Sequence, residues 1–463
     1  MRRLIVVSNR VADLEKGAQS GGLAVAVGEA LKETGGLWFG WDGSVVDDDG
    51  DADDLKVVNF GAYMSATLPL TSEEYRDYYL GFSNKVLWPA FHYRLDLAAY
   101  ESAFYQVYRK VNGRLADCLA RLIKPFDVVW IHDYHLIPLA SELRARKIMN
   151  RIGFFLHIPF PPPDVLTAVP EHEWLVSTLF SYDVVGFQTS GDLGNFRRYV
   201  VENAGGIEGE GDEISAFGKS TVAQAFPIGI DVTAFHAMAH SPEADALVLQ
   251  LRQRTLERTQ ILGVDRLDYT KGLPDRLRAF KRLLELYPEN CKRVTLMQIA
   301  PPTREEVEAY TDMRQTLEQL SGSINGDFGD FDWTPVRYIH RSVARDRLAA
   351  VCRGSKVGLV TPLRDGMNLV AKEYVAAQDP DDPGVLVLSR FAGAAEDLLE
   401  ALLVNPYDVD EVAHAMQEAL TMPKAERIDR YNSLIARVRE RDVQHWRESF
   451  LAALIGDERS MAA

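Results

Sequence analysis

Cysteine is scarce in this chain. Its 463 residues include three cysteines, Cys118, Cys291 and Cys352, which lie far apart. They form no CxxC pair and no cysteine–histidine spacing typical of zinc sites. A sparse, odd number of thiols is typical of a reducing compartment, so we expect a cytoplasmic protein with inert cysteines.

Long apolar runs are also missing near the start. The first apolar stretch, Leu4–Val7, follows two arginines and is too short for a signal peptide or a membrane span. It predicts a first β-strand, and we expect no membrane partner.

Positive charge is in deficit, with 51 lysines and arginines against 67 acidic residues and a net charge of −16. Such a surface repels nucleic acid and anionic membranes, so neither is expected as a partner. An anionic ligand therefore needs basic residues that gather locally.

What the chain does have is a regular alternation of short apolar runs and helical patterns. LIVVS and DVVWIH each precede a helical pattern, and GVLVLS precedes one that predicts a helix over 393–402. Near-continuous apolar strands followed by helices predict parallel sheets covered on both faces. The glycine-rich stretch 204–213 predicts a solvated loop.

The alternation repeats after residue 232. We therefore predict an α/β protein with two doubly wound Rossmann-like domains, 1–232 and 233–463, facing across a cleft. The last predicted helix of the second domain can instead pack against the first domain.

Ligands of such sheets bind beyond the carboxyl ends of the strands, so polar residues just after strands are candidates. Arg10 follows the first strand, Asp133 lies in HDYH after DVVWI, and His157 precedes a rigid proline-rich loop. Each is interpreted either as a ligand contact or as a solvated or satisfied structural residue. The two histidines of HDYH suggest a metal, but their spacing is poor and no third ligand is near in sequence.

Two motifs of the second half carry charge at strand ends. VDRLDYTKGLPDR places Arg266 and Lys271 before a helix start, which favours a diphosphate clamp. TPLRDGMNLVAKEY places Asp365 in a strand-to-helix turn, where it suits sugar hydroxyls, and Glu373 inside the helix, where it suits a ribose diol. The alternatives are solvated charges and a capped helix with a surface glutamate.

Further candidates are weaker. SGG at 20–22 opens a helical run, where glycines let the backbone approach a phosphate. Trp38, Trp41 and Trp88 lie in aromatic clusters that suit either the faces of a sugar or a buried core. Arg304 follows another predicted strand.

The motifs VVSNR, SGGLAVAV, LWFGW, FSNKVLWPAFHYR, WIHDYHL, RIGFFLHIPFP, DRLDYTKGLP and TPLRDGMNLVAKEYVAAQDP resemble the trehalose-6-phosphate synthase family of retaining glycosyltransferases. The resemblance runs from Leu4 to about Trp446. It implies a GT-B type fold whose first domain binds the acceptor and whose second binds the nucleotide sugar. It also implies glucose transfer from UDP-glucose to glucose 6-phosphate, giving α,α-trehalose 6-phosphate and UDP, by a homo-oligomer (dimer or tetramer).

The resemblance assigns roles to particular positions. The acceptor-binding residues are Arg10, Trp41, Tyr79, Trp88, Asp133 and Arg304. The donor-binding residues are Gly22, Arg266, Lys271, Asp365, Met367, Asn368, Leu369 and Glu373. The catalytic residues are Asp133, His157, Arg266, Lys271 and Asp365. Since two cations would stabilise the leaving diphosphate, no cofactor and no essential metal is expected.

Three other functions fit the same pattern. They are a glucosylglycerol-phosphate synthase with glycerol 3-phosphate as acceptor, a pseudo-glycosyltransferase that couples cyclitols, and a non-catalytic sugar-phosphate sensor. The presence of Lys271, Asp365 and Glu373 argues against the sensor. Neither the nucleotide base nor the choice between front-face attack and double displacement follows from the residues.

Overall fold

A computed structural model describes residues 2–12, 28, 31, 35–47, 54–254, 256, 258–303 and 308–456. The chain divides into two compact units. Unit 1 is Met1–Pro227 with Trp446–Ala463, and unit 2 is Ile228–His445. The predicted division lay after residue 232, and the residues of the last helix from Trp446 onward lie in unit 1.

The strands of unit 1 form one sheet. They are β1 Leu4–Arg10, β2 Leu37–Val46, β3 Lys56–Asn59, β4 Met64–Thr71, β5 Val128–His132, β6 Arg151–Phe155, β7 Val184–Phe187, β8 Ile207–Glu208, β9 Glu213–Ala216 and β10 Lys219–Ala225. Their order is β3-β4-β2-β1-β5-β6-β7-β10-β9-β8. The inner pairs from β4 to β10 are parallel, whereas β3, β8 and β9 pair antiparallel. The loop predicted over 204–213 is therefore wrong in part, because β8 and β9 use its backbone groups.

Helices cover this sheet. They are Ser72–Glu74, a π-helix Tyr75–Leu87, Trp88–Phe91, Ser102–Ala120, Leu139–Ala145, Pro163–Leu166, His172–Leu179, Ser190–Asn203 and Val443–Ile455, with 3₁₀ turns at Leu95–Leu97 and Tyr134–Leu136. Phe450 of the last helix packs on the sheet at Gly153 and Gly186. A Cβ at either glycine would come within 2.8 Å of the Phe450 ring, so a larger residue at either position would displace it.

Unit 2 has a fully parallel sheet. Its strands are β11 Thr259–Val264, β12 Val294–Ile299, β13 Val336–Ile339, β14 Val357–Val360, β15 Val385–Ser389 and β16 Leu402–Val404, in the order β13-β12-β11-β14-β15-β16. Strands β12, β14 and β15 are buried along their whole length, as expected for a sheet covered on both faces. This is the strand order of doubly wound nucleotide-binding folds. The position where the strand order reverses direction, called the switch point, lies between β11 and β14.

The helices of unit 2 are Val232–Ala239, Pro242–Arg254, Leu273–Leu286, Glu308–Phe328, Arg345–Gly354, Leu369–Ala377, Val409–Thr421 and Lys424–Glu440. Three 3₁₀ turns lie at Tyr269–Lys271, Pro288–Asn290 and Gly393–Glu396. The helix predicted over 393–402 is wrong, because a 3₁₀ turn ends at Glu396 and β16 begins at Leu402. The N–H groups of Gly393 and Ala394 donate to the carbonyls of Asp365 (3.2 Å) and Met367 (2.8 Å). These bonds tie the segment to the loop after β14.

The same strand order recurs in unit 1 around β1 and β5, so each unit has one switch point. No helix in the described part of the chain is both long and apolar enough to cross a membrane.

Candidate functional site

The switch point of unit 2 brings together two of the predicted residues. Lys271 follows β11 and Asp365 follows β14, and these strands are neighbours. The Lys271 Nζ lies 2.5 Å from the Asp365 Oδ2, with 11% and 14% of the two side chains exposed. Each charge thus has a partner, and both face a position where a ligand of this fold binds.

Asn368 joins this pair at the start of the helix Leu369–Ala377. Its backbone is left-handed, with φ 74°, which asparagine tolerates better than most residues. Its Oδ1 accepts from the N–H of Ala371 at 3.2 Å, and its Nδ2 donates to Asp365 Oδ2 at 3.0 Å. The helix N-terminus, which favours negative charge, therefore lies next to the Lys271–Asp365 pair.

The loop after β11 is held in one conformation. Asp268 Oδ1 accepts from the Thr270 N–H at 3.0 Å, and the Thr270 carbonyl accepts from the Leu363 N–H at 2.8 Å. Gly272 has φ 63°, and a Cβ there would lie 2.6 Å from the Thr361 carbonyl oxygen. Arg266 lies in the same loop and is more exposed, with its Nη2 at 4.0 Å from Asp268 Oδ2.

Glu373 lies one turn into the same helix. Its Oε1 is 3.6 Å from Arg345 Nη2, longer than a hydrogen bond, and 14% of its side chain is exposed. The guanidinium of Arg345 also lies over the ring of Phe235 at 5.5 Å. Burial raises the pKa of Glu373 to about 7, and Arg345 opposes that rise.

The other predicted donor-binding residues differ in burial and in their backbone contacts. Met367 is buried, and its carbonyl accepts the hydrogen bond from Ala394 described above. Leu369 is half-buried at the first position of the helix. Gly22 and Arg304 lie outside the described residues.

The switch point of unit 1 carries an aromatic group next to a cation. The guanidinium of Arg10, at the end of β1, lies over the Trp41 ring at 5.7 Å. The Trp41 ring is 5.4 Å from Tyr79, which in turn stacks on His135 at 5.9 Å. Trp41 donates from Nε1 to the Ser44 carbonyl at 2.6 Å. One positive charge and several ring faces thus lie beyond the end of the first strand.

Asp133 and His157 meet after β5 and β6. Asp133 has φ 76° and ψ 164°, an uncommon backbone for a residue other than glycine. Its Oδ1 accepts from the His157 N–H at 3.3 Å. The His157 Nε2 lies 3.1 Å from the Nδ1 of His132, so the two rings form a hydrogen-bonded pair.

Both histidines of this pair are neutral near pH 7. Burial lowers the pKa of His157 to about 3. Burial, with a smaller contribution from His157, lowers the pKa of His132 well below its usual value. His157 is therefore uncharged at neutral pH in the ligand-free protein.

Trp88 is as buried as Trp41. It is 4% exposed, against 6% for Trp41, and its ring packs 4.2 Å from His92 and 5.7 Å from Tyr134. This is the environment of a core residue, which was one of the two interpretations of the aromatic clusters. Trp38 is also buried and donates from Nε1 to Ser8 Oγ at 2.8 Å.

Sequence reasoning missed four residues that hold the predicted ones in place. They are His132 next to His157, Arg345 next to Glu373, and Asp265 with Arg276 beneath Asn368. It also missed the π-helix Tyr75–Leu87, which carries Tyr79 and which has no sequence signature comparable to that of an α-helix. Of the four residues, His132, Asp265 and Arg276 stand in motifs quoted above, and Arg345 does not.

Two doubly wound units, each with polar residues at its switch point, define the class of protein. This is the GT-B architecture, and the chain is a glycosyltransferase.

Comparison with known proteins narrows the class. Residues 3–455 match the model of glycosyltransferase family 20, so the chain belongs to that family. A trehalose-6-phosphate synthase of Enterobacter sp. (strain 638) is 50% identical over 455 residues, which cover 98% of this chain and 95% of that one.

Solved structures agree with this assignment. An α,α-trehalose-phosphate synthase (UDP-forming) from Burkholderia xenovorans, in complex with glucose-6-phosphate, is 51% identical with a TM-score of 0.95, covering 98% of this chain and 100% of that one. A trehalose-6-phosphate structure from E. coli, bound with UDP-2-fluoro glucose, is 47% identical with a TM-score of 0.93, covering 98% of each chain.

Proposed function

We propose that this chain transfers glucose from UDP-glucose to glucose 6-phosphate with retention of the anomeric configuration, giving α,α-trehalose 6-phosphate and UDP. The observation that carries the proposal is the Lys271–Asp365 pair at the switch point of unit 2, next to a helix N-terminus. Membership of family 20 and the names of relatives at about 50% identity support these particular substrates.

Lys271 is suited to the leaving diphosphate. An ammonium group has three N–H donors, and Lys271 gives one to Asp365, so the others are available to phosphate oxygens. Arg266, more exposed in the same loop, adds a second cation. Negative charge that develops on the β-phosphate as the glycosidic bond breaks is stabilised by both, so the reaction needs no divalent metal.

Asp365 and Glu373 are suited to the hydroxyl groups of the donor. The Asp365 carboxylate, oriented by Lys271 and Asn368, accepts hydrogen bonds from glucose hydroxyls. Glu373, whose carboxylate is mostly buried and loosely paired, accepts from the ribose diol. Burial makes an unsatisfied carboxylate costly, so a diol that donates two hydrogen bonds is favoured there.

The acceptor phosphate needs a local cation in a protein of net charge −16. Arg10 supplies one beyond β1. The half-buried Tyr79 ring offers a face for the C–H groups of a hexose, and the buried Trp41 ring packs against both Arg10 and Tyr79. Asp133, after β5, is suited to accept from a sugar hydroxyl.

The neutral His157 bears on how the acceptor loses its proton. Because its pKa is lowered to about 3, it is a poor base. Double displacement would need a carboxylate as nucleophile, and Asp133 and Asp365 are both assigned to sugar hydroxyls, so we infer front-face attack. The bond between the anomeric carbon and the phosphate oxygen breaks, the acceptor oxygen bonds to that carbon on the same face, and its proton passes to the departing phosphate oxygen.

A matrix of donors and acceptors tests the function. UDP-, ADP- and GDP-glucose are each incubated with glucose 6-phosphate or glycerol 3-phosphate, and products are identified by NMR. We expect α,α-trehalose 6-phosphate from UDP-glucose, with UDP release that depends on glucose 6-phosphate. Faster turnover of glycerol 3-phosphate, or no release with any pair, would refute the proposal.

We also infer a cytoplasmic homo-oligomer with neither nucleic acid nor membrane as a partner. The acidic charge and the three free cysteines support the compartment, and the family resemblance supports the oligomer. Light scattering on the purified full chain tests the oligomer, and a monomer at micromolar concentration would exclude it.

A further inference from the structure

A buried polar chain lies beneath the Lys271–Asp365 pair. Arg276, fully buried in the helix Leu273–Leu286, donates from Nη2 to Asp265 Oδ2 at 2.7 Å. Its Nε and Nη1 donate to Thr361 Oγ1 at 3.0 Å and Gln298 Oε1 at 3.2 Å. These partners lie at or just beyond the ends of β11, β12 and β14, so one guanidinium joins three neighbouring strands at their carboxyl ends.

Asn368 connects this layer to the pair above it. Its Nδ2 lies 3.4 Å from Asp265 Oδ1 and 3.0 Å from Asp365 Oδ2, so the two N–H groups face two carboxylates. Its oxygen accepts from the Ala371 N–H, which fixes the orientation of the amide. Each hydrogen-bonding group of this side chain therefore has a defined direction.

Charge balance explains why the carboxylate of Asp265 is tolerated there. Only 3% of its side chain is exposed, and burial raises its pKa, while Arg276 and Lys271 oppose that rise. With Asp365 nearby, the cluster holds two carboxylates and two cations. A buried carboxylate of this kind needs its cation and its hydrogen bonds to stay ionised.

We propose that Asp265 is a positioning residue: held by Arg276, it fixes the Asn368 amide and, through it, the Asp365 carboxylate that receives the donor glucose. The identity of that sugar rests on the proposed function. The consequence is selective, because Asp365 contacts the glucose directly and affects the diphosphate only through its pair with Lys271. Loss of Asp265 is expected to weaken binding of UDP-glucose much more than binding of UDP.

Asp265→Asn is the sharpest perturbation. Asparagine has one oxygen where aspartate has two, yet Arg276 and Asn368 each need an acceptor. A buried charged guanidinium without an acceptor costs more than a neutral amide without one, so the single oxygen of the new asparagine turns to Arg276. Its NH₂ group then faces the NH₂ group of Asn368, and this contact between two donors is unfavourable.

The experiment measures the dissociation constants of UDP and UDP-glucose by calorimetry on the full chain. For Asp265→Asn we expect UDP-glucose to bind about tenfold more weakly, as for the loss of one hydrogen bond to a charged group, with UDP within twofold of wild type. Arg276→Lys keeps a cation but cannot reach Asp265, Thr361 and Gln298 together. We expect Arg276→Lys to bind UDP-glucose severalfold more weakly, with a smaller effect on UDP. If Asp265→Asn does not fold, Arg276→Lys replaces it as the test variant.

Asp127→Asn in unit 1 is the matched control. Asp127 is also buried, with 5% of its side chain exposed, and pairs with Arg3 at 2.5 Å. We expect it to lower the melting temperature without changing either affinity. Wild-type affinities in both test variants, or an equal loss of UDP and UDP-glucose, would overturn the proposal. Product formation by the wild-type chain reports on the proposed function separately.

Discussion

Replacement of Glu373 by glutamine tests whether this carboxylate is kept at a cost to stability in order to bind a diol. Burial raises its pKa from 4.5 to about 7, and Arg345, 3.6 Å away, compensates only in part. A folded pKa above the unfolded one means that the folded protein binds more protons between these two values. The contribution of Glu373 to stability is therefore most favourable below pH 4.5, is lost between pH 4.5 and about 7, and stays constant above that.

The shift corresponds to about 3 kcal/mol of unfolding free energy once the carboxylate is fully ionised. Glutamine has the same shape and never ionises, so Glu373→Gln avoids this cost. We expect the variant to match wild type near pH 4.5 and to be more stable by up to about 3 kcal/mol at pH 8. Chemical denaturation of the ligand-free protein at several pH values measures the difference.

The same variant is expected to bind donor less well. The ribose is present in UDP and in UDP-glucose, so both affinities should fall about tenfold, unlike the selective effect at Asp265. Glu74→Gln is the control: Glu74 is buried but held by a fork from Arg114 at 2.6 and 2.9 Å, and its replacement should destabilise the protein at pH 8. A stability difference for Glu373→Gln that does not change with pH would refute the reasoning.

Three further outcomes follow from the site. Lys271→Met should lower kcat about 100-fold, because Lys271 stabilises charge on the leaving diphosphate, and it should leave the KM for glucose 6-phosphate unchanged. A wild-type kcat in steady-state assays would exclude Lys271 from leaving-group stabilisation. Arg10→Ala should raise the KM for glucose 6-phosphate about tenfold without changing UDP affinity, and equal effects on both substrates would remove Arg10 from the acceptor site. Turnover should be unchanged after exhaustive treatment with EDTA, and a loss that Mg²⁺ restores would establish a metal requirement.

The strands could be predicted from sequence because buried parallel strands appear as apolar runs. The candidate site residues could be predicted because ligands of such sheets bind beyond the carboxyl ends of the strands. Lys271 and Asp365 were found in this way, 94 residues apart in sequence. That they touch could not be predicted, since it depends on β11 and β14 being neighbours in the sheet.

Other features had no local signal. Asp265 and Arg276 read as ordinary charged residues, and only the fold buries them and makes them partners. The segment from Gly393 has a helical pattern, but its first N–H groups donate to the loop after β14, and its last residue, Leu402, pairs with β15 in the sheet. Tertiary contacts override local pattern in both cases.

A crystal structure of the chain with a non-transferable UDP-glucose analogue tests whether the Lys271–Asp365 pair binds the donor. We expect the diphosphate within hydrogen-bonding distance of Lys271 Nζ, glucose hydroxyls on the Asp365 carboxylate and the ribose on Glu373. A diphosphate bound away from Lys271, with the Lys271–Asp365 pair facing solvent, would contradict donor binding by this pair.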